Sequence, residues 1–465
     1  MPFCKNDFGE SFNWGVSTAA YQIEGAHNTH GKGPSIWDIF ANTKGKIHLD
    51  QNANTACNFY KKYTEDLILM SSLNIPNYRF SISWSRIFPK GTGAVNYAGV
   101  AFYNRLIDFC LELNIQPWIT LYHWDLPFEL EKKGGWNNRE VVNWFSEYVK
   151  FCVKNFGDRV KHWMILNEPM VFTGAGYFLG IHAPGKKGMS NFLSAAHHAA
   201  LCQAEGARII KAFYPDAKAG TTFSCSHIHP NTENEVDINA ATKVDALLNR
   251  MFIEPLLGLG YPLKDLKILQ RIEKYMRPND EAKLKFDMDF IGIQNYTREI
   301  VSHSYFMPFI TAKIIKADAR NVETTTMNWE VYPESIYAML KKVSAYENVK
   351  EIIITENGAA FPDVEINGVV DDHKRINYLQ NYLSEVLRAK KEGVKVNGYF
   401  VWSFMDNFEW AEGYKPRFGL VYVDFKTQKR IVKSSGYWYR DFLQNDNSSK
   451  IKENKKERIA SEIFY

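Results

Sequence analysis

KEIIITENG, residues 350–358, is an unbroken apolar run of Ile352, Ile353 and Ile354 that stops abruptly at Thr355, Glu356, Asn357 and Gly358. Such a run marks a strand buried on both faces of a parallel sheet, because helices or further strands cover each side. Period-two alternation predicts Glu356 on the face shared by Ile354 and Ile352. If that face lines a barrel, the carboxylate surfaces at the mouth on a stiff support, where catalytic groups of such barrels stand. Glu356 is therefore a candidate catalytic group, and its chemistry calls for a partner elsewhere in the chain.

Seven other short apolar or aromatic segments end in the same polar fashion: FNWGVSTAA (12–20), IPNYRFSIS (75–83), QPWITLYHW (116–124), HWMILNEP (162–169), AKAGTTFSCS (217–226), FIGIQNYT (290–297) and VNGYFVWSF (396–404). Helix-period patterns lie between them, as at 56–73, 100–113, 139–155, 192–213, 335–346 and 372–390. Eight strand–helix alternations without a Pro/Ser-rich linker predict an α/β fold, one (β/α)8 TIM barrel spanning 1–445. A minimal barrel of this kind needs roughly 250 residues, so the surplus predicts long loops on the catalytic face, notably 25–54 and 298–332. Residues 446–465, polar and without clear periodicity, read as a poorly ordered tail.

Lys and Arg exceed Asp and Glu by only 56 to 52, and no basic block tracks a phosphate backbone, which argues against nucleic acid as a partner. No run of about 18 apolar residues occurs, and the N-terminus lacks a basic stretch followed by an apolar core, so a cytoplasmic protein without a membrane partner is expected. Cys4, Cys57, Cys110, Cys152, Cys202 and Cys225 are widely spaced and read as reduced packing residues. Neither a P-loop, a Gly-rich dinucleotide fingerprint nor a G-x-S-x-G elbow is present, and no cofactor or metal is expected. His227 and His229 have metal-ligand spacing, but no carboxylate or cysteine pattern nearby completes a shell. A metal-dependent barrel hydrolase built on that pair is the competing reading from a different class.

The fourth strand supplies the partner carboxylate: Leu166, Asn167, Glu168 and Pro169 place a Glu where the seventh strand places Glu356. Cleaving a glycosidic bond needs two carboxyls across one small cleft. One protonates the leaving oxygen while the other attacks the anomeric carbon or activates water. The structural alternative is that Glu168 caps a helix with Pro169 at its first position, and that Glu356 to Gly358 only make a turn. Arg79 on the second strand and Tyr296 ending the sixth are candidate donors to Glu356, with a buried ion pair and a satisfied core hydroxyl as their structural alternatives. Gln22 closes strand one, His123 and Trp124 end strand three, and Trp402 to Trp410 follows strand eight. Trp platforms beside Gln, His and Glu409 suit a sugar, which has apolar ring faces and a rim of hydroxyls.

The motifs FNWGVSTAAYQIEG (12–25), YRFSISWSRIFP (78–89), TLYHWDLP (120–127), LNEP (166–169), GIHAPG (180–185), ITENG (354–358), WSFMDNFEW (402–410), RFGLVYVDF (417–425) and KSSGYWY (433–439) together resemble glycoside hydrolase family 1, which includes the β-glucosidases. The resemblance covers nearly the whole chain. It implies a retaining mechanism, with Glu356 as nucleophile and Glu168 as acid, then base, their carboxyls about 5–5.5 Å apart. It implies that Tyr296 and Arg79 hold the nucleophile, and that Asn167 meets the sugar 2-hydroxyl. It further implies that Gln22, His123, Trp124, Glu409, Trp410 and Phe418 surround the non-reducing sugar, with Trp402 beneath its ring and Trp329 as leaving-group platform. Relatives acting on 6-phospho-sugars carry a small residue at the place of Glu409, so a neutral glucoside is implied and a 6-phospho-β-glycosidase is the alternative. Gln294 departs from the family, in which many members carry Asn. The expected activity is exo-β-glucosidase action on small glucosides and oligosaccharides, including those from cellulose, with β-galactosidase or β-fucosidase side activity. The oligomeric state is left open.

Overall fold

A computed structural model describes residues 3–307 and 309–444; the tail expected at 446–465 lies outside the described residues. Eight parallel strands close into a barrel, each at one of the eight apolar segments: β1 Asn13–Ser17, β2 Asn77–Ser81, β3 Gln116–Tyr122, β4 His162–Asn167, β5 Lys218–Ser224, β6 Phe290–Gln294, β7 Ile352–Asn357 and β8 Val396–Trp402. Neighbours in the barrel are neighbours in sequence, and β1 closes on β8 with Asn13 opposite Gly398 and Ser17 opposite Trp402.

The barrel is filled, not hollow. Trp118, Met164, Phe290, Ile353 and Phe400, contributed by five strands, form one buried apolar layer at its base. The Trp118 ring meets Phe400 edge-on at 4.9 Å and stacks on His162 at 3.7 Å. Ile352 and Ile354 belong instead to the larger core between strands and helices. The expected alternation therefore fails at the decisive stretch: Ile353 faces inward, and Ile352 and Ile354 face outward. Ile354 pairs with Ile293 and Glu356 with the next residue, Gln294, so Thr355 is an extra residue, a bulge that turns Glu356 inward. β4 has a register shift of the same kind between Met164 and Asn167.

Helices follow the strands at the predicted places, α1 Phe59–Ser72, α2 Tyr97–Glu112, α3 Val141–Phe156, α4 Met189–Phe213, α5 Glu334–Ser344 and α6 His373–Lys391, and a further helix, α7 Ser434–Gln444, lies outside those stretches. In α3 the buried residues Val141, Phe145, Tyr148, Val149, Cys152, Val153 and Phe156 recur at three- and four-residue steps, so one stripe meets the barrel. α4 is buried on most of its surface. It sits close to β4 because Gly206 has no side chain; a Cβ there would lie 2.7 Å from Ile165. Cys57, Cys110, Cys152, Cys202 and Cys225 are buried thiols, and burial pushes the Cys225 thiol up to about 12.

The surplus chain extends the catalytic face. The 25–54 and 298–332 stretches lie beyond β1 and β6, and His227–Pro230, Arg298–His303 and Ala312–Ile315 form a separate three-stranded sheet there. Behind the loop after β8, Lys433 is fully buried with its ammonium 2.5 Å from Asp363 and 2.6 Å from Asp406. Arg375 adds bonds to Asp363 and Asp372, and Arg417 one to Asp406. No helix among the described residues is long and apolar enough to cross a membrane.

Candidate active site

Glu356 enters the barrel mouth from β7 between two donors. Arg79 Nη1 on β2 reaches Oε1 at 2.5 Å, and the Tyr296 hydroxyl, two residues past β6, donates to Oε2 at 2.6 Å. Arg79 is wholly buried and held at several points: Nε donates to Thr120 Oγ1 at 3.1 Å, Nη1 also to the Thr355 carbonyl at 3.2 Å, and Nη2 to Asn167 Oδ1 at 2.5 Å. The bulge thus has a second effect, since it turns the Thr355 carbonyl to the guanidinium. Burial raises the Glu356 carboxyl above its ordinary range, and the Arg79 charge and the Tyr296 hydroxyl pull it back.

Glu168 is the first residue beyond β4 and has φ +46°, a left-handed conformation that a non-glycine residue adopts at a cost. It is the residue before a short helix, Pro169–Thr173, with Pro169 at the first helical position, so the backbone half of the capping alternative holds. The side chain makes no cap bond and instead lines the cavity of Glu356. Asn167 Nδ2 stands at a long 3.5 Å from the Glu168 carboxylate, and the Ser224 side chain is a further hydrogen-bond partner. Burial lifts its carboxyl well above the ordinary range, and the Glu356 charge lifts it further. Two glutamates therefore share one cavity in different environments, one in direct contact with a guanidinium and a phenol, the other pushed up by burial and by its neighbour's charge.

Asn167 links them. Its Oδ1 accepts from Arg79, from Gln294 Nε2 at 2.6 Å and from Thr222 Oγ1 at 3.0 Å, which fixes the amide orientation. Nδ2 must then donate to His123 Nε2, 3.0 Å away. His123 is buried and its ring is pushed well below its usual value, first by burial and then by Arg79, so it is neutral with its proton on Nδ1. That Nδ1 and Gln22 Oε1 are buried polar atoms without a protein partner.

Gln22 lies on the short helix Ala20–Ile23 rather than closing β1, which ends at Ser17; Ala20 N bonds Ser81 Oγ and turns the chain there. From it, Nε2 donates to Asn407 Oδ1 at 3.0 Å, to the Phe408 carbonyl at 2.9 Å and to Glu409 Oε2 at 3.3 Å. Burial and the Glu356 charge push the Glu409 carboxyl up to about 8. Trp410 packs on Trp124 at 4.5 Å and Trp37 at 4.6 Å, and Trp402 stacks with His123 at 6.0 Å. Trp329 stands against Tyr296 at 5.2 Å and Phe418 at 6.1 Å, and is only half-buried. His123, Trp124, Glu168, Tyr296, Trp329, Glu356, Trp402, Glu409, Trp410 and Phe418 all line one cavity of about 300 Å³; Gln22, Arg79 and Asn167 stand directly behind them.

The lining also contains Ser224, His182, Met327, Glu299 and Glu412, none of which sequence reasoning singled out. His182 sits in the quoted GIHAPG motif and Ser224 is the last residue of β5, so position gave a clue to both; Glu299 and Met327 lie on long loops with none. Five glutamates and no Lys or Arg line the cavity among the described residues. His227 and His229 are on a strand of the separate sheet with ring centroids 5.1 Å apart, and His227 lines a different cavity. No group of three His, Cys, Asp or Glu among the described residues could hold a metal ion.

The arrangement suits attack by one carboxylate on a sugar while the other delivers a proton. Comparison with known proteins agrees. A model of glycosyl hydrolase family 1 matches residues 4–448. A 1,4-beta-D-glucan glucohydrolase of Thermotoga neapolitana is 44% identical over 94% of this chain and 98% of its own length. Beta-glucosidase A of Thermotoga maritima is likewise 44% identical, over 94% and 98%. The solved family 1 β-glucosidase from Thermotoga maritima superposes with a TM-score of 0.90 at 43% identity, covering 94% of this chain and 98% of that one.

Proposed function

The chain belongs to glycosyl hydrolase family 1, and on that premise we propose that it is a retaining exo-β-glucosidase, releasing terminal non-reducing β-D-glucosyl units from small glucosides and oligosaccharides. The observation that carries this is the pairing of Glu168 and Glu356 in one cavity at the barrel mouth, with Glu168 pushed up by the Glu356 charge and Glu356 pulled back by Arg79 and Tyr296. Glu356 attacks the anomeric carbon while Glu168 protonates the departing oxygen; water activated by Glu168 then frees the sugar from Glu356. Arg79 and Tyr296 keep the nucleophile ionised and aimed. Asn167 Nδ2, the Nδ1 proton of His123, Gln22 Oε1 and Glu409 meet the sugar hydroxyls, Trp402 and Trp410 cover its apolar faces with Trp124 and Phe418 packed around them, and Trp329 carries the leaving group.

A 6-phosphorylated sugar would bring a dianion into a cavity with five glutamates and, among the described residues, no lining Lys or Arg, which favours the neutral glucoside. β-Galactosidase and β-fucosidase side activities, a part in breaking down cellulose fragments and a cytoplasmic location belong to the same reading; the buried thiols suit a reducing compartment. The test is hydrolysis of nitrophenyl β-glucoside with the anomer of the product followed by NMR. The wild type should release β-glucose first, and Glu356→Ala should lower kcat/KM by at least about four orders of magnitude. Release of the α-anomer, or substantial activity in the variant, would overturn the assignment.

A further inference from the structure

Glu299 is the one half-buried carboxylate of the cavity for which the proposed mechanism has no use. It stands at the start of the Arg298–His303 strand, and the chain around it is stitched to the Trp329 segment: Thr297 Oγ1 donates to the Glu330 carbonyl at 2.9 Å. The hydrogen bonds of the two nearby guanidiniums go to Glu330, and Arg320 Nε is a buried donor without a partner. Arg298 Nε and Nη2 each bond Glu330 at 2.9 Å, and Arg320 Nη1 bonds Glu330 at 2.7 Å. Among the described residues no donor reaches the Glu299 carboxylate, whereas at the deep end of the cavity Glu409 accepts from Gln22 Nε2 at 3.3 Å. A partly desolvated acceptor without a donor is costly to leave unsatisfied, so its side of the cavity favours whatever brings donors to it. Burial pushes its carboxyl up to about 7, with Arg320 opposing and Glu330 reinforcing the shift.

We infer that Glu299 is a specificity-determining residue on the leaving-group side, where it accepts hydrogen bonds from the hydroxyls of a second sugar unit while Trp329 and Met327 cover that sugar's apolar face. The inference rests on the β-glucosidase reading and deepens it: a hydroxyl-rich leaving group supplies the missing donors, whereas an aryl or alkyl group leaves the carboxylate unsatisfied.

The experiment compares cellobiose with nitrophenyl β-glucoside in wild type, Glu299→Gln and Glu299→Leu. In Glu299→Leu, kcat/KM for cellobiose should fall about tenfold to a hundredfold further than for nitrophenyl β-glucoside, mostly through KM. Glu299→Gln, which keeps one acceptor oxygen, should recover part of the difference. Hydrolysis of the glycosyl-enzyme, after the leaving group has gone, should keep its wild-type rate in both variants. Equal losses on the two substrates, or a slowed glycosyl-enzyme step, would mean that Glu299 only supports the fold and would overturn the inference. Absence of wild-type turnover on either substrate would instead defeat the β-glucosidase reading and this inference with it.

Discussion

Glu168 and Glu356 are chemically identical, and their surroundings divide the work between them. Glu356 has a guanidinium and a phenol within 2.6 Å, whereas Glu168 has an amide at 3.5 Å, the Ser224 hydroxyl and a neighbouring negative charge. Both are raised, Glu168 the more strongly, so the reactive form has Glu356 ionised and Glu168 protonated. kcat/KM should therefore fall on the acid side as Glu356 takes up a proton and on the alkaline side as Glu168 loses one. Glu168→Ala should remove the alkaline limb and slow cellobiose by about 10²–10⁴-fold, with a much smaller loss for an activated aryl glucoside; pH–rate profiles on both substrates check this. Sequence position was enough to single out both glutamates, Arg79 and Tyr296, because Arg79 lies within an apolar strand and the other three end or flank one. It could not find Glu299, which stands on a strand of the separate sheet, outside the barrel whose strand ends point to the site. Gln294 was noticed only as a departure from the family, and it proves to donate to Asn167, at the junction of the two carboxylates.

The strands transmit position to those side chains, and at β7 and β8 the tolerance is narrow. A Cβ at Gly358, just past β7, would collide with the Trp402 carbonyl oxygen at the end of β8, a backbone atom with no rotamer to yield. Gly358→Ala should cost about 1–3 kcal/mol or more and lower kcat, because the shift falls between Glu356 and Trp402; chemical denaturation and steady-state kinetics on one preparation check both effects. All eight strands were readable from sequence because doubly covered strands are continuous apolar runs. The inward face was misread for a related reason. With Ile at three successive positions, hydrophobicity cannot say which side is core and which is barrel interior, and Thr355 gives no hint that it is an extra residue. The HIH segment could be singled out but not placed in a sheet, since its partner strand, Arg298–His303, is some seventy positions away.

Across the whole molecule, the loop after β8 that holds Glu409 and Trp410 is anchored from behind by buried charges joining Asp406, Asp363, Lys433, Arg375 and Arg417. Lys433 and Arg375 hold the Asp363 carboxyl below its usual range. Its contribution to stability is thus present above the unfolded carboxylate value and is lost as pH falls through the folded one. Lys433→Met would leave two buried aspartates short of a cation, at a cost of about 3–5 kcal/mol, and should raise KM by loosening the Glu409 loop. Denaturant titrations at neutral and acid pH check this, with the difference from wild type shrinking in acid. At the opposite end, the layer of Trp118, Met164, Phe290, Ile353 and Phe400 closes the barrel beneath the two carboxylates. The site is a cul-de-sac: a freed glucose must back out through the doorway by which the next chain end arrives, so arrivals and departures cannot overlap, and clearing the dead end becomes a step of every cycle.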